Sequence, residues 1–223
     1  MPTSRYERAA RNAGYRSIAG LDEAGRGALF GPVFAAAVVL DPARPIRGLD
    51  DSKLLDPGRR EVLAARIKER ALAWAVAAAD AFEIDQINIL EASRLAMQRA
   101  VQRLPTACDY LLIDAIRVNL ALPQQPLIHG DARCFSIAAA SILAKVARDA
   151  ALERWHHVFP EYGLASNKGY ATPDHREALA ALGPTNIHRF SFSPVRDACR
   201  WRTWTGYPVH RTHPQQGELF ACP

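Results

Sequence analysis

The sequence lacks any hydrophobic run long enough to cross a membrane. Its longest apolar runs, such as residues 33–40, fall far short of the roughly 20 residues that a bilayer-spanning helix needs. The polar and basic stretch of residues 1–15 also lacks the apolar segment of a secretory signal. Both absences predict a cytoplasmic protein.

The sequence also lacks the usual marks of zinc sites and of serine hydrolases. Its four cysteines are scattered without a C-x-x-C pair, and no histidine lies at zinc-ligand spacing from them. A G-x-S-x-G elbow is absent as well. We therefore expect reduced thiols. Surface or helix-end positions are expected for the histidines, among them His156, His157, His175 and His188.

What is present is an ordinary globular composition with a modest basic excess. The 223 residues include 28 lysines and arginines against 23 acidic residues, which gives a formal net charge of +5. The hydrophobic share of 49% excludes a disordered chain, and the length suits one domain of ordinary size. An excess of positive charge favours a polyanionic partner, most often a nucleic acid or an anionic membrane surface.

The order of apolar segments predicts an α/β protein with a mixed central sheet flanked by helices. Strands are predicted over residues 17–23, 32–40, 73–80, 109–115 and 126–131, and helices over residues 57–71, 84–104, 135–155 and 173–182. Residues 73–80 also fit a helix, but a strand must separate the helices on either side. The helix from residue 135 carries a face of small residues, which allows a close approach to a sheet or a ligand.

Three of the predicted strands end in acidic side chains. Asp22 and Glu23 end the first strand, and Asp114 and Asp131 end two later strands. In open α/β sheets, binding sites gather where strand ends meet solvent. Carboxylates brought together raise one another's pKa unless cations lie among them, and oxygen ligands are those that Mg²⁺ and Mn²⁺ prefer. The acids therefore indicate a metal site for phosphoryl transfer, although acids at strand ends can also cap helices or lie solvated in loops.

A glycine-rich segment follows the first pair of acids. Gly25, Arg26 and Gly27 come directly after the strand, and Gly31 precedes a proline. Glycines let backbone amides approach a ligand closely, and the arginine adds a positive fork suited to phosphate. A dinucleotide-binding loop is the competing interpretation, but the third glycine is displaced and Pro32 opens a strand instead of a helix.

These motifs, with others in the same order, resemble the ribonuclease HII family (type 2 ribonuclease H). The match opens with residues 20–27 (GLDEAGRG) and residues 31–33 (GPV). Further matches occur at residues 51–53 (DSK), 84–90 (IDQINIL), 113–114 (ID), 130–131 (GD), 137–149 (IAAASILAKVARD), 162–163 (YG), 168–172 (KGYAT) and 188–192 (HRFSF). The resemblance covers roughly residues 17–195.

The resemblance implies an RNase H-like fold with a C-terminal helical segment. It implies an endonuclease that hydrolyses the RNA strand of RNA–DNA hybrids and incises duplex DNA at embedded ribonucleotides, leaving 3′-hydroxyl and 5′-phosphate ends. The cofactor would be Mg²⁺ or Mn²⁺ in a two-metal-ion mechanism, with roles in DNA replication and ribonucleotide excision repair. By the same resemblance, the residues that are catalytic and bind the metal are Asp22, Glu23, Asp114 and Asp131.

Asp149 competes with Asp131 for the fourth place, because it also lies in a strongly matching motif. We favour Asp131, which follows Asp114 by 17 positions and matches the family's Gly-Asp pair. Asp149 lies four residues after Lys145 in a predicted helix, where an i,i+4 ion pair explains its presence.

The resemblance also implies which residues bind the substrate. Gly25, Arg26 and Gly27, together with Tyr170, would read the 2′-hydroxyl that distinguishes RNA from DNA. Contacts to phosphate are expected from Lys53, Asn88, Lys145, Lys168 and Arg189. Much of the basic excess is therefore expected to surround the acidic site.

Three positions depart from the family pattern. Ala28 stands where proline usually follows Gly-Arg-Gly, which would loosen that loop. His129 stands where lysine is common, which would lower the local positive charge and make activity more sensitive to pH. No role is predicted for Asn167, which stands where histidine is frequent.

The chain divides into three predicted parts. Residues 1–16 form an N-terminal extension, residues 17–199 the catalytic domain with its C-terminal helical part, and residues 200–223 a flexible tail. In the tail, Gln216, Leu219 and Phe220 form a Gln-x-x-Leu-Phe peptide, which resembles the motif by which bacterial proteins dock on the replication sliding clamp. A plain disordered tail is the alternative. We expect a monomer whose partners are RNA–DNA hybrid and ribonucleotide-containing duplex DNA. No association with a membrane is expected.

Two other functions stay open from the sequence. One is a catalytically silent nucleic-acid-binding module of the same fold, against which the presence of all four carboxylates argues. The other is a different nuclease or integrase of this fold, which would share the acids but not the Gly-Arg-Gly loop with its distant tyrosine.

Overall fold

A computed structural model describes residues 1–200 of the chain, without the side chain of Arg200. Its sheet has five strands: β1 (Ile18–Ala24), β2 (Val33–Val39), β3 (Ala73–Ala79), β4 (Tyr110–Asp114) and β5 (Gln124–Leu127). Their spatial order is β3-β2-β1-β4-β5. β1 pairs antiparallel with β2 and parallel with β4, so the predicted mixed sheet is confirmed and β1 lies at its centre.

The helices of residues 1–200 are α1 (Arg5–Asn12), α2 (Pro57–Arg70), α3 (Ala81–Gln102), α4 (Phe135–Val158), α5 (Leu164–Asn167), α6 (Pro173–Leu182) and α7 (Ser193–Arg200). Helix α3 packs on one face of the sheet, and α4 packs on the other with α2 beside it. Helices α6 and α7 form the predicted C-terminal helical segment. In this part of the chain no helix has both the length and the apolar character to cross a membrane.

The predicted clamp-docking residues lie beyond the described part of the chain. They are Gln216, Leu219 and Phe220.

Side-chain caps explain where several helices begin. Asp56 accepts a hydrogen bond from the backbone N–H of Arg59 ahead of a proline at the first position of α2. Asp80 and Glu83 form a reciprocal capping box at the start of α3. These local interactions are why the sequence predicts both helices.

Two predicted boundaries are wrong. Strand β5 ends at Leu127, so Asp131 lies in the turn that follows and not at a strand end. Helix α3 begins before residue 84 and is interrupted at Asn88, whose φ of 67° is left-handed. The Oδ1 of Asn88 accepts hydrogen bonds from the backbone N–H groups of Leu90 (2.9 Å) and Glu91 (3.1 Å), which restarts the helix after the break.

Helix α4 lies against the central strand at backbone distance. An added Cβ at Gly20 of β1 would lie 2.1 Å from the carbonyl carbon of Ser136 and 2.5 Å from the backbone nitrogen of Ile137. Only a glycine fits there. The expected close approach of the small-faced helix to the sheet is confirmed.

A buried carboxylate ties the N-terminal helix to α4. Cys134, at the N-cap of α4, makes no side-chain cap hydrogen bond. The Oε1 atom of Glu7 accepts hydrogen bonds instead, from the backbone N–H of Ser136 (2.8 Å) and from the thiol of Cys134 (3.2 Å). An acid at a helix N-terminus stabilises the unpaired amides there, so α1 helps to hold α4 in place.

The close approach at Gly20 predicts a large cost for one methyl group. Gly20→Ala is expected to lower the free energy of unfolding by about 2 to 3 kcal/mol, because the backbone of α4 cannot move aside as a flexible side chain would. Chemical denaturation measures this change.

Gly58→Ala is the matched control. Its added Cβ would meet only the Oδ1 of Asp56, at an ordinary contact distance of 3.5 Å near the start of α2. It is expected to be neutral or to stabilise by up to about 1 kcal/mol, because alanine favours a helix over glycine. Equal stability of Gly20→Ala and the wild type would contradict the packing.

Candidate active site

The acids predicted at the strand ends meet at one end of the sheet. β1 and β4 are parallel neighbours whose register pairs Leu21 with Ile113. Asp22 and Asp114 therefore follow side by side at the ends of these strands. Glu23 comes next on β1, and its Oε1 lies 3.3 Å from the Nη1 of Arg26.

Gly130 brings the fourth carboxylate to the same place. Its N–H donates to the Oδ1 of Asp114 at 2.7 Å, and an added Cβ would lie only 3.3 Å from that oxygen. Asp131 follows and is 5% exposed, and the Nζ of Lys53 lies 3.7 Å from its Oδ2. The structure thus brings Asp131 to the other acids although it lies four residues beyond β5.

Burial and mutual repulsion raise the pKa of three of these carboxyl groups. Burial raises the pKa of Asp22 well above its usual value, and the charges of Glu23, Asp114 and Asp131 raise it further, while a hydrogen bond from Ser141 opposes them. Burial also raises the pKa of Glu23 and of Asp131. A cluster of this kind ionises fully only when positive charge lies among the acids.

The donor set fits a hard divalent cation. All four groups offer carboxylate oxygens, the ligand type that Mg²⁺ and Mn²⁺ prefer. The Oε2 atom of Glu23 is buried without a hydrogen-bond partner, so it is available to a cation. Within residues 1–200, no three histidine, cysteine, aspartate or glutamate side chains already converge as a metal cage.

The glycine loop after β1 lies against a tyrosine that is far away in the sequence. Gly25 has a left-handed φ of 97°, which favours glycine. The backbone N–H of Leu29 donates to the carbonyl of Gly169 at 2.8 Å. The ring of Tyr170 lies 3.9 Å from the place where a Cβ of Gly27 would be. The structure therefore brings the predicted loop and the predicted tyrosine together.

Two departures from the family pattern have structural explanations. The backbone N–H of Ala28 donates to the carbonyl of Gly25 at 3.4 Å, a bond that a proline could not make. Asn167 is buried, and its amide donates to the carbonyl of Tyr162 (2.6 Å) and accepts from the N–H of Gly169 (2.7 Å). Asn167 therefore holds the turn before Tyr170, a role that the sequence did not indicate.

Three of the predicted phosphate contacts reach the surface. Lys53 and Asn88 are exposed, and Lys168 is half-buried with its Nζ 3.3 Å from Glu153. Partial burial works to lower the pKa of Lys53, but the surrounding acids outweigh it and raise that pKa, so this lysine carries its charge beside the cluster. His129 is exposed in a left-handed conformation, with a φ of 54°.

The other two predicted phosphate contacts are engaged with groups of the protein itself. The Nζ of Lys145 donates to Asp149 at 2.6 Å, which is the predicted i,i+4 ion pair, and Asp149 also lies 3.8 Å from Arg60. Arg189 has no exposed surface and donates to backbone carbonyls, so a direct phosphate contact is not compatible with its position.

Sequence reasoning missed a buried histidine pair. His175 and His188 are fully buried, and their Nε2 atoms lie 3.2 Å apart. His175 lies in the first turn of α6, so the expected helix-end position is confirmed for it, whereas the expectation of a surface or helix-end position is wrong for His188, which lies between α6 and α7. The Nδ1 of His175 lies 2.9 Å from the carbonyl oxygen of Tyr170, and the Nδ1 of His188 lies 2.9 Å from the backbone nitrogen of Thr185. Burial lowers the pKa of both rings, to about 3 for His188. The pair is therefore neutral, and it contacts Tyr170 through the backbone carbonyl of that residue.

Comparisons with known sequences agree with the resemblance. Residues 19–195 match the sequence model of the family described as Ribonuclease HII. Ribonuclease HII of Solibacter usitatus (strain Ellin6076) is 62% identical over 214 residues, which cover 96% of this chain and 90% of that protein. Ribonuclease HII of Koribacter versatilis (strain Ellin345) is 56% identical over 193 residues, which cover 86% of this chain and 76% of that protein.

Solved structures share the fold. Ribonuclease H2 from Pyrococcus horikoshii OT3 aligns with a TM-score of 0.71 at 26% identity, over 82% of this chain and 97% of that one. The complex of PCNA with RNase HII from Archaeoglobus fulgidus aligns with a TM-score of 0.67 at 26% identity, over 81% and 96%. Bst-RNase HIII in complex with Mn²⁺ has a TM-score of 0.67 at 21% identity, over 86% and 72%. The expected RNase H-like fold is confirmed.

The raised pKa of Asp22 predicts a pH-dependent stability. Ionising this buried acid costs stability as the pH rises through its raised pKa, and the cost is absent below the ordinary value of 3.8. In metal-free buffer, Asp22→Asn is therefore expected to melt at a higher temperature than the wild type at pH 7, with the gain shrinking toward about pH 4. Thermal melts across this pH range measure the difference.

Asp149→Asn serves as the control for this experiment. It is expected to lower the melting temperature at pH 7, because Asp149 forms an ion pair with Lys145 outside the acidic cluster. A pH-independent difference between Asp22→Asn and the wild type would contradict the electrostatic account.

Proposed function

The chain belongs to the ribonuclease HII family, and from that premise we propose that it incises duplex DNA at single embedded ribonucleotides as well as cleaving hybrids. As a member of the family it is a ribonuclease H, a hydrolase that acts on RNA–DNA hybrids. The products would carry 3′-hydroxyl and 5′-phosphate ends. The observation that carries the proposal is that the ring of Tyr170 lies next to Gly27, in the loop that directly follows the acids of β1.

Catalysis would depend on the four carboxylates. Asp22, Glu23, Asp114 and Asp131 would hold divalent cations, Mg²⁺ or Mn²⁺, through their oxygens. Bound cations would supply charge stabilisation at the phosphate and an activated water. The part played by the chain is to hold four carboxylates at one end of the sheet and to leave the buried Oε2 of Glu23 without another partner. The Mn²⁺ complex of Bst-RNase HIII, which shares the fold, is consistent with divalent metal use.

Recognition of the ribonucleotide would rest on the loop and on Tyr170. A 2′-hydroxyl both donates and accepts hydrogen bonds, so backbone groups of Gly25, Arg26 and Gly27 and the phenol of Tyr170 are chemically suitable partners. Tyr170 is 38% exposed, which leaves its ring accessible to a sugar or base. Arg26 and Gly27 are exposed as well.

The sugar–phosphate backbone would be held by polar groups that reach the surface. Lys53, Asn88 and Lys168 are the proposed contacts, and Lys53 reaches to within 3.7 Å of Asp131. Lysine contacts to phosphate release counterions, so affinity for the duplex should fall as salt is added.

The two alternative functions are less well supported. A silent binding module has no need to bring four acids together when the raised pKa values of Asp22, Glu23 and Asp131 come at a cost to stability. A different nuclease or integrase of this fold would not need the contact between the glycine loop and Tyr170. We further propose residues 17–199 as the catalytic domain, with residues 1–16 as its N-terminal extension and residues 200–223 as its C-terminal tail.

A duplex DNA with one embedded ribonucleotide tests the main proposal. In the presence of Mg²⁺ or Mn²⁺ the wild type is expected to incise it, and Asp22→Asn is expected to slow incision by about 100-fold or more, because metal charge stabilisation contributes several kcal/mol. Gel analysis of the cleaved strand measures the rate.

Asp174→Asn is the matched control, since Asp174 lies exposed in the first turn of α6. Its rate should equal that of the wild type. Either a wild type that leaves the duplex intact or an Asp22→Asn variant as fast as the wild type rejects the proposal.

We also propose that the tail docks on the sliding clamp. Gln216, Leu219 and Phe220 supply a polar residue and two apolar anchors, which suit a peptide that binds in a groove. The Archaeoglobus fulgidus RNase HII, one of the similar structures, is seen in complex with PCNA.

Deleting residues 216–223 tests the docking. The truncated chain is expected to bind a bacterial sliding clamp at least tenfold more weakly, since both apolar anchors are lost, while incision of the ribonucleotide duplex stays unchanged. Surface plasmon resonance measures the affinity. Gln215→Ala, next to the motif but outside its fixed positions, should bind normally, and undiminished binding by the truncated chain would refute the docking.

A further inference from the structure

Two arginine side chains with no exposed surface lie beneath the glycine loop. Both are among the largest fully buried side chains of residues 1–200, and neither forms an ion pair within that range. The Nε and Nη1 atoms of Arg148 and the Nη2 atom of Arg189 are buried without hydrogen-bond partners. Burying a charge without a paired acid costs free energy, so the positions of these groups need an explanation.

Arg148 connects helix α4 to the loop and to the tyrosine. An added Cβ at Gly25 would lie 2.0 Å from its Nε, so the guanidinium packs directly on the backbone of that glycine. Its Nη2 donates to the carbonyl of Lys168 at 2.8 Å. Its guanidinium carbon lies 5.2 Å from the ring centre of Tyr170, within cation–π distance.

Arg189 holds the other end of the same loop. Its Nε donates to the carbonyl of Gly31 and its Nη1 to the carbonyl of Arg26, each at 2.8 Å. The backbone N–H of Arg189 also donates to the carbonyl of Leu29 at 2.9 Å. A planar guanidinium can reach two carbonyls at once, which an ammonium group on a flexible stem does less well.

Burial lowers the pKa of both guanidinium groups, and the charge of Arg148 lowers the pKa of Arg189 further. The two positive groups therefore lie close enough to repel each other. Such a pair is a poor choice for stability alone, because an apolar side chain of similar volume often stabilises a buried site more than a charged group does.

We propose that Arg148 and Arg189 are positioning residues that set the distance between the loop of residues 25–27 and Tyr170, and so fix the gap that accepts the 2′-hydroxyl of a ribonucleotide. This inference rests on the proposed function. Both arginines donate to backbone carbonyls, and Arg148 also lies within cation–π distance of the tyrosine ring, so their effect reaches the substrate through those groups.

The proposal predicts a loss of ribonucleotide preference without a general loss of DNA binding. Arg148→Lys and Arg189→Lys are made in the slow-cleaving Asp22→Asn background, and the Kd is measured for an all-DNA duplex and for the same duplex with one ribonucleotide. We expect each variant to lower the preference for the ribonucleotide duplex by about tenfold, with the Kd for the all-DNA duplex unchanged within about twofold.

Arg176→Lys is the matched control. Arg176 is exposed, and its Nε also donates to a backbone carbonyl near Tyr170, that of Ala171, at 3.2 Å. It should keep the full preference. A second variant, Arg148→Met, separates position from stability, because it removes a buried unpaired charge and should therefore melt no lower than the background while still losing the preference.

A double-variant test asks whether Arg148 acts through the tyrosine. In a Tyr170→Ala background, Arg148→Lys should lower the preference no further, since the group that it positions is gone. An unchanged preference in both lysine variants, or an equal weakening for both duplexes, would overturn the inference. If the background protein itself shows no preference for the ribonucleotide duplex, the proposed function fails instead.

Discussion

Helix α4 meets strand β1 backbone to backbone at Gly20, and the geometry of the site depends on that contact. From this point the helix carries Ser141 to the carboxyl group of Asp22. About two turns further along, the same helix places Arg148 under Gly25. Because one rigid element reaches both places, the distance from the acids to the glycine loop is set by helix packing, and loop flexibility has little part in it. A close-packed interior transmits such a constraint with little slack.

The site separates charge by depth. The acids lie at the end of the sheet, where burial and mutual repulsion work against their ionisation. Lys53 lies at the exposed rim beside Asp131, whereas Arg148 and Arg189 lie underneath, on the side away from solvent. The metal-free protein thus holds both signs of charge in unfavourable positions. Cations among the acids would relieve part of this cost, which is how a binding site can be built at the expense of stability.

The sequence predicts the elements that depend on local patterns and fails where distant segments meet. Asp22 and Asp114 can be predicted because an acid at the end of an apolar segment is visible in the sequence. Asp131 is predicted both from its Gly-Asp motif and from the end of a strand over residues 126–131, and that strand is wrong because nothing local marks the end of β5. The burial of Arg189 could not be predicted, since its partners, Gly31 and Arg26, lie more than 150 residues away. From the sequence alone, an arginine in a basic chain is expected at the surface, and only the folded structure shows that it is buried.

The histidine pair behind Tyr170 has a consequence for the direction of its hydrogen bonds. The carbonyl of Tyr170 can only accept, so the Nδ1 of His175 must carry the hydrogen there and its Nε2 must be bare. The Nε2 of His188 must then donate to His175, which leaves its own Nδ1 to accept from the backbone of Thr185. The backbone groups at the two ends therefore fix both tautomers. Each hydrogen bond in the series is donated in the same direction, from Thr185 through His188 and His175 to Tyr170. Each neutral ring carries one N–H hydrogen. An additional proton on either ring would place two donors opposite each other, so the pair tolerates only this neutral state.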